Sequence, residues 1–340
     1  MQRINAAIVG CGSIHARHVE GIKHHPEGHL HTIVELDQAK GEALASRYGS
    51  RYVHDYLDML CDEEIDVVHI CTPHHSHREI IIAALAAGKH VFTEKPLALN
   101  VSEIQQIKQA ALASKVLLGI CYQNRLNPTS QKIKSMLEQQ ALGKMIGMRA
   151  MLTWARSEEY YSQSEWRGRF AREGGSLLIN QAIHTLDLMQ WFGDGVQAIK
   201  GVVDSTFLAQ ATEAEDTATA NMMLGNGARG LFYATNCYST DSPLLLEIHC
   251  EKGILQLHQN SLWLIVEGRS TQLVSDEITI EMEKSYWGSS HNKAISSFYR
   301  AISENIHSGY VDINQAEISL RMVDAIYQSS LLRRWITVAE

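Results

Sequence analysis

Short apolar runs and helix-like segments alternate strictly through the first third of the chain. The runs lie at residues 6–10, 30–34, 66–71 and 116–121, and segments rich in helix formers separate them. Nearly continuous apolar runs are typical of strands that are buried on both faces, and parallel strands need such crossover helices between them. The alternation therefore predicts an α/β domain built on a parallel, doubly wound sheet.

The turn after the first apolar run carries two glycines of a dinucleotide-binding fingerprint. Gly10 and Gly12 allow a tight turn and a close approach of the backbone to a pyrophosphate, and Ser13 and Ile14 lead into the following helix. We predict that these four residues contact the cofactor. His15 stands where the fingerprint has its third glycine, which implies a wider helix contact or a side chain aimed at the ligand.

An acidic residue, Glu35, ends the second apolar run. A carboxylate at this position can accept hydrogen bonds from the ribose hydroxyls of NAD, and it would repel the additional phosphate of NADP. No arginine directly follows Glu35 to offset that repulsion. NAD is therefore the predicted cofactor, with NADP disfavoured. In the alternative interpretation, Glu35 and Asp37 are simply a solvated strand end.

A further apolar run, beginning after Gly88, ends in Glu94, Lys95 and Pro96. Ligands of parallel sheets gather beyond the carboxyl ends of the strands. Lys95 is accordingly the first candidate for a catalytic side chain.

The second part of the chain has short strand-like runs separated by turns such as Asn226-Gly227, which predicts an antiparallel sheet. Before those runs, residues 176–192 read as one mostly apolar helix with Ser176 as its N-cap. Asn180, His184 and Asp187 then share one face of that helix, and polar groups on an apolar helix need partners. A substrate site or a structural hydrogen-bond network explains the pattern.

The polar loop at residues 155–173 combines aromatic side chains with arginines. Tyr160, Trp166 and Arg167 suit a sugar ring that carries a carboxylate or a phosphate, because guanidinium binds such groups in a bidentate manner. An exposed loop with solvated arginines is the alternative.

Several motifs, taken in order, resemble the glucose-fructose oxidoreductase, inositol dehydrogenase and rhizopine-catabolism family, Gfo/Idh/MocA. They are Gly10-x-Gly12 with His18, Thr72-Pro73 with His77, Gly88-Lys89-His90-Val91, Glu94-Lys95-Pro96, Gln123-Asn124-Arg125, and the segment from Gly174-Gly175 to Asp187. The resemblance implies an NAD-binding Rossmann domain over residues 1–125. It also implies a substrate-binding and oligomerisation domain over residues 126–340, built on a large open, mostly antiparallel sheet with flanking helices.

The resemblance also implies roles for individual residues. Lys95 would lie beside the nicotinamide and the substrate, often with a cis bond into Pro96. The other cofactor contacts implied are Thr72, Pro73, His77, Glu94 and Gln123. The family usually has aspartate at the position of Asn180, and an asparagine cannot take a proton. Asn180 and Asp187 are therefore predicted to orient the substrate.

These features predict an NAD-dependent dehydrogenase that oxidises a secondary alcohol of a sugar, inositol or sugar derivative, including uronic acids and nucleotide sugars. His184 is the expected general base and Lys95 the group that stabilises developing negative charge, although the two roles can be exchanged. A non-catalytic NAD- and sugar-binding regulator and a redox glycosidase are the alternatives. Retention of both Lys95 and His184 favours catalysis.

Composition bears on the partners, the cellular compartment and the metal content of the protein. The net charge of −8 without a basic run argues against nucleic acid or an anionic membrane as partner. Six scattered cysteines suit reduced thiols in a cytoplasmic protein, and no apolar stretch has the ~20 residues of a membrane span. No metal site is expected, since the histidines lack a zinc-binding pattern. An open sheet needs its second face covered, and the family resemblance implies that paired subunits cover it, so a homodimer or homotetramer is expected.

Overall fold

The computed structural model describes residues 3–276 and 290–338. They form two compact units. The first unit comprises Met1–Gln123 and Ser290–Glu317, and the second unit comprises Asn124–Ser289 and Ile318–Glu340. The first stretch ends at Gln123, beside the boundary expected at residue 125, and the later segment Ser290–Glu317 groups with the first unit.

The first unit contains a six-stranded sheet in which all neighbours are parallel. Its order is β3-β2-β1-β4-β5-β6, so the order reverses between β1 and β4. Ligands of such sheets bind at the carboxyl ends of the strands near this reversal. The prediction of a parallel, doubly wound sheet is confirmed. The strands are β1 (Ile4–Val9), β2 (Gly28–Val34), β3 (Arg51–Val53), β4 (Val67–Ile70), β5 (His90–Glu94) and β6 (Leu118–Cys121).

The helices of the first unit connect and cover these strands. They are α1 (His15–His24), α2 (Gln38–Tyr48), α3 (Tyr56–Leu60), α4 (His77–Ala86), α5 (Val101–Ala113) and, much later in the chain, α11 (His291–Glu304). Helix α2 starts at Asp37, whose carboxylate accepts from the Lys40 N–H, and ends at Gly49 in the left-handed region. Helix α11 packs on α1 and β6, and the Ile120 N–H donates to the Val311 carbonyl across 2.9 Å. These contacts explain why the segment belongs to the first unit.

The second unit contains a large sheet in the order β14-β13-β12-β11-β7-β10-β9-β8-β15. Its strands pair antiparallel except β7 and β10, which are parallel, so the predicted sheet type is confirmed. The predicted turn at Asn226-Gly227 joins β9 to β10, with Gly227 at φ +87°. The strands are β7 (Met145–Thr153), β8 (Val196–Asp204), β9 (Thr217–Leu224), β10 (Arg229–Thr235), β11 (Leu245–Cys250), β12 (Gly253–His258), β13 (Ser261–Val266), β14 (Arg269–Ser275) and β15 (Ile336–Thr337).

Short helices pack on this sheet, with α6 beside β13 and β14, α9 beside β9 and β10, and α10 beside β7. These and the remaining helices are α6 (Pro128–Glu138), α7 (Glu158–Ser162), α8 (Phe170–Glu173), α9 (Leu177–Asn180), α10 (Ile183–Phe192) and the C-terminal α12 (Ile313–Leu332). Throughout the ranges that the structure describes, no helix is both long enough and apolar enough to cross a bilayer.

The single helix predicted over residues 176–192 is wrong, because the segment is divided into α9 and α10. The Ala182 N–H donates to the Leu177 carbonyl five residues earlier, across 2.8 Å, which widens the backbone at the break. Ser176 does not cap α9. The Glu215 carboxylate accepts from the Leu178 N–H across 2.7 Å instead.

Candidate functional site

The turn after β1 has the geometry that a dinucleotide requires. Gly10 has φ +85°, and a Cβ there would lie 2.7 Å from the Cγ2 atom of Thr72, so only glycine fits. A Cβ at Gly12 would meet only the Cys71 carbonyl oxygen, at 3.8 Å, which leaves space above the turn. Helix α1 then begins at His15 without a side-chain cap, so its first N–H groups suit a pyrophosphate.

The histidine at the third fingerprint position belongs to the turn itself. His15 Nδ1 lies 2.6 Å from the Gly12 carbonyl oxygen, and its Nε2 lies 3.3 Å from the Tyr48 hydroxyl. The ring therefore bridges the turn and the end of α2. Of the two interpretations that the sequence allowed, these bonds favour a packing role over a side chain aimed at the ligand.

Glu35 is held at the end of β2 by three donors. Its Oε2 atom accepts from the Cys11 N–H at 3.1 Å and from Lys40 Nζ at 2.8 Å, and its Oε1 accepts from the Asp37 N–H at 3.3 Å. Burial acts to raise the pKa of Glu35, but the hydrogen bonds from Lys40 and from the backbone outweigh it and lower the pKa. Glu35 is thus an anion with a cation beside it. Lys40 was not predicted as this cation because it lies five residues after Glu35 and not directly next to it.

Thr72 and Pro73 follow β4, and His77 joins them to the end of β5. His77 Nδ1 lies 2.7 Å from the Pro96 carbonyl oxygen and Nε2 lies 2.9 Å from the Thr72 carbonyl oxygen. The ring is 0% exposed, and burial lowers its pKa. Because backbone oxygens face both ring nitrogens, this geometry disfavours the predicted direct contact of His77 with the cofactor.

Lys95 is the accessible residue in a buried stretch. From Val91 to Ala98 every side chain except that of Lys95 is buried. The Lys95-Pro96 peptide bond is cis, as the resemblance implied. Glu94, predicted as a cofactor contact, is instead enclosed, with its Oε1 atom 3.0 Å from His18 Nε2. Gln123 is also buried, and its side-chain oxygen lies 3.8 Å from the Cys121 sulfur.

Asn180 and His184 lie on either side of the break between α9 and α10. Of the residues from Leu177 to Gln190, only these two are not buried. The Asn180 side chain donates to Glu173 Oε1 across 2.5 Å. Glu173 is buried at 1% exposure, and its other oxygen accepts from the Gly168 N–H. Glu173 was not predicted as a site residue, because it lies in the polar loop and its sequence context carries no signal of burial.

Asp187 does not join this accessible pair. It is 1% exposed, and both of its oxygens accept from the Arg125 guanidinium at 2.7 Å. Oδ1 also accepts from Gln190 Nε2 at 3.2 Å and from the Ser319 hydroxyl at 2.9 Å. These buried donors occupy the carboxylate, and this geometry disfavours the predicted substrate contact of Asp187.

The aromatic and arginine side chains of the polar loop do come together. The Arg167 guanidinium lies 4.2 Å from the Tyr160 ring centre and 5.7 Å from that of Trp166, and it donates to the Tyr160 carbonyl. The Tyr160 hydroxyl accepts from Gln181 Nε2 at 3.1 Å. Burial raises the pKa of Tyr160, which therefore stays neutral. Gln181, at the break after α9, is a further site residue that sequence reasoning did not select.

The comparisons with known proteins address both parts of the chain. A family described as "Oxidoreductase family, NAD-binding Rossmann fold" matches residues 4–122, and the GFO/IDH/MocA C-terminal domain matches residues 130–256. The chain belongs to the Gfo/Idh/MocA family. It is therefore an NAD-dependent oxidoreductase, and NAD, which the turn at Gly10 and Gly12 fits, is its cofactor.

Relatives in this family act on different sugars and polyols. Levoglucosan dehydrogenase of Pseudarthrobacter phenanthrenivorans is 26% identical over 65% of this chain and 63% of its own length. The scyllo-inositol 2-dehydrogenase (NAD(+)) of Bacillus subtilis is 22% identical over 81% of this chain and 80% of its own length. A solved structure of the WlbA dehydrogenase from Bordetella pertussis with NADH and UDP-GlcNAcA has a TM-score of 0.86, with 26% identity and full coverage of both chains.

Proposed function

We propose that this chain is a dehydrogenase that transfers a hydride from a secondary alcohol of a sugar, inositol or sugar derivative to NAD. The observation that carries the proposal is the selective exposure of three polar side chains. Lys95 is the accessible residue within Val91–Ala98, and Asn180 and His184 are the accessible residues within Leu177–Gln190. An accessible polar group in an otherwise buried segment suits contact with a ligand.

In the proposed reaction, the chain manages the proton and the charge. NAD supplies the hydride acceptor when it is bound. The imidazole of His184 accepts the hydroxyl proton, since histidine is the side chain most often used as a general base. Lys95 donates a hydrogen bond to the same oxygen and stabilises its developing negative charge. In the alternative assignment Lys95 is the base and His184 the donor.

Asn180 would orient the substrate through its carbonyl oxygen. Its N–H group donates to Glu173, which fixes the orientation of the amide. The amide oxygen can accept a hydrogen bond from a sugar hydroxyl. This assignment gives Asn180 a positioning role without requiring that it take a proton.

The loop side chains support a substrate with an acidic group. No acidic side chain among the described residues forms an ion pair with Arg167, whereas Arg156 lies 2.8 Å from Asp241. A half-buried guanidinium over an aromatic ring, without a carboxylate partner, suits the carboxylate of a uronic acid, with Tyr160 and Trp166 against the sugar ring. The UDP-GlcNAcA in the WlbA structure is a ligand of this chemical class.

The test mixes the protein and NAD with neutral polyols, aldoses and uronic acids, free and as nucleotide sugars. We expect reduced nicotinamide to appear by near-ultraviolet absorbance, with higher kcat/KM for the acids than for their neutral parents. Arg167→Gln should remove that preference, with Arg169→Gln, at an exposed position, as its control. Tight NAD binding without reduction across the panel would contradict the proposal and favour a regulator. Release of an aglycone without net reduction would favour a redox glycosidase.

We also propose that the chain forms a homodimer or homotetramer and acts in the cytoplasm. The large sheet carries exposed apolar side chains on β7, β8 and β10, including Met151, Val202 and Leu231, which a second copy would cover. All six cysteines are free thiols, which suits a reducing compartment.

A further inference from the structure

The interior of the first unit holds a row of four polar side chains from four separate elements. The Tyr299 hydroxyl of α11 lies 2.8 Å from His69 Nε2 of β4. His69 Nδ1 lies 2.9 Å from His18 Nδ1 of α1, and His18 Nε2 lies 3.0 Å from Glu94 Oε1 of β5. All four side chains are buried. Buried polar groups must satisfy one another, so the protons in this row are constrained.

The contact between the two histidines fixes the direction of the row. Only one hydrogen can lie between the two Nδ1 atoms, so one ring donates and the other accepts. If His69 donates, neutral His18 carries its proton on Nε2, and this N–H donates a hydrogen bond to the Glu94 carboxylate. Nε2 of His69 then accepts from Tyr299. Every atom is satisfied with Glu94 as the single charge.

The reverse direction requires an additional proton. If His18 donates to His69, a neutral His18 presents a bare Nε2 to Glu94. Either Glu94 must then be protonated, or His18 must be an imidazolium. Burial lowers the pKa of His18, and it lowers that of His69 further. Burial acts to raise the pKa of Glu94, but hydrogen bonds from His18 and His291 hold it well below its ordinary value. The pKa of Tyr299 is raised by burial, so its proton is retained.

We propose that Tyr299, His69 and His18 form a one-way hydrogen-bond chain that holds Glu94 as an oriented anion and thereby positions Lys95, the next residue. The role of Lys95 rests on the function proposed above. Tyr299 and His69 act through His18 and Glu94, so they are positioning residues, remote from Lys95 in sequence.

Other titratable groups surround this chain and complete its electrostatics. His291 Nε2 on α11 lies 3.7 Å from Glu94 Oε1, and the His25 ring centre lies 5.3 Å from that of Tyr299. Other groups that interact electrostatically with the chain include His15 of α1, Asp66 before β4, Cys71 after β4, His77 of α4 and Cys121 of β6.

A metal ion is a competing explanation for part of this cluster. The donor atoms of His18, Glu94 and Cys121 lie within 4.8 Å of one another. Both ring nitrogens of His18 already have hydrogen-bond partners, and burial holds the Cys121 pKa well above its ordinary value, which opposes the thiolate that a metal prefers. Hydrogen bonding alone accounts for the arrangement.

The direct test is histidine NMR on the full-length protein labelled with 15N, without added NAD. Ring nitrogen shifts distinguish the two neutral tautomers from imidazolium. We expect His18 to be protonated on Nε2 and His69 on Nδ1, both neutral from about pH 6 to about pH 8. An imidazolium at His18, or a proton on His69 Nε2, would overturn the proposal. This measurement decides the chain whether or not the proposed dehydrogenase function holds.

The functional arm compares two replacements of the same residue. In His18→Gln the amide N–H can donate to Glu94 while the amide oxygen accepts from His69, so the direction survives; in His18→Leu it is lost. We expect kcat to fall about tenfold or more in the leucine variant and less than about threefold in the glutamine variant. Tyr299→Phe should lower kcat by an intermediate factor, with NAD affinity retained. Equal losses in the glutamine and leucine variants, both folded by thermal unfolding, would show that the chain is only structural.

Discussion

Asn180 donates its side-chain N–H to Glu173, and Glu173 is almost completely buried. The pair thus places a carboxylate next to the position where the family usually has an aspartate. In this protein the carboxylate belongs to a different residue, Glu173, and the accessible member of the pair, Asn180, stays neutral.

The pairing of the Asn180 amide with the Glu173 carboxylate predicts what happens when the acid and the amide are exchanged between the two positions. Asn180→Asp places two carboxylates within hydrogen-bond distance, so we expect a loss of about 1–3 kcal/mol in the free energy of unfolding. Adding Glu173→Gln restores a donor to the introduced carboxylate and keeps an acceptor for the Gly168 N–H, so the double variant should recover most of that loss. Chemical unfolding of the four proteins measures the coupling. A double variant as unstable as the sum of the singles would contradict the pairing.

The Arg125 and Asp187 pair makes a second prediction. Asp187→Asn leaves the buried guanidinium uncompensated, and we expect it to cost about 3–5 kcal/mol of stability. Under conditions in which Asp187→Asn is fully folded, its activity should return, and its KM for the substrate should be unchanged. Thermal unfolding and steady-state kinetics separate the two effects. A raised KM in a fully stable Asp187→Asn protein would return Asp187 to the substrate site.

Glu35 and Lys40 should influence the cofactor preference in opposite directions. Glu35→Ala removes the charge that opposes the 2′-phosphate of NADP, so the ratio of kcat/KM for NAD over NADP should fall. Lys40→Met removes the cation that offsets the Glu35 charge, so the same ratio should rise. The rise should be only about two- to fivefold, because solvent screens the exposed Lys40. Changes of the same sign in both variants would argue against this pair as the reader of the ribose.

Several parts of this architecture could be predicted from the sequence because their signals are local. Alternating apolar runs predicted the parallel sheet, and Gly10 and Gly12 predicted the turn after β1. The break between α9 and α10 has no such signal, since neither glycine nor proline lies between Leu177 and Phe192. It depends on contacts that are distant in sequence, including the bond from Leu178 to Glu215.

The site was predicted least well where burial decides the role of a residue. Asp187 and His77 were chosen as polar groups with a helical or motif spacing, but buried partners, Arg125 for one and two backbone carbonyls for the other, occupy them. Glu173 and Lys40 were missed for the converse reason, because nothing local indicates that they contact Asn180 and Glu35. A further member of the buried chain, His69, is visible in the sequence as a histidine inside the apolar strand β4.

Glu215 should make stability depend on pH. Burial raises its pKa from 4.5 to about 7 in the folded protein. Between these values the folded state holds a proton that the unfolded state releases, so this group's contribution to stability is full below pH 4.5 and is lost as the pH rises towards about 7. The loss is about 3 kcal/mol. Glu215→Gln should flatten the dependence in urea unfolding at about pH 5 and about pH 8. An unchanged slope would contradict the buried, protonated state.

The central claim is that His184 takes the proton while NAD takes the hydride. The most direct measurement is turnover and NAD affinity of His184→Ala, beside His307→Ala as a control at an exposed histidine. We expect NAD affinity to stay within about twofold in both variants, while kcat of His184→Ala falls at least about a hundredfold and that of His307→Ala does not change. Undiminished turnover by His184→Ala on the same substrate would contradict the claim.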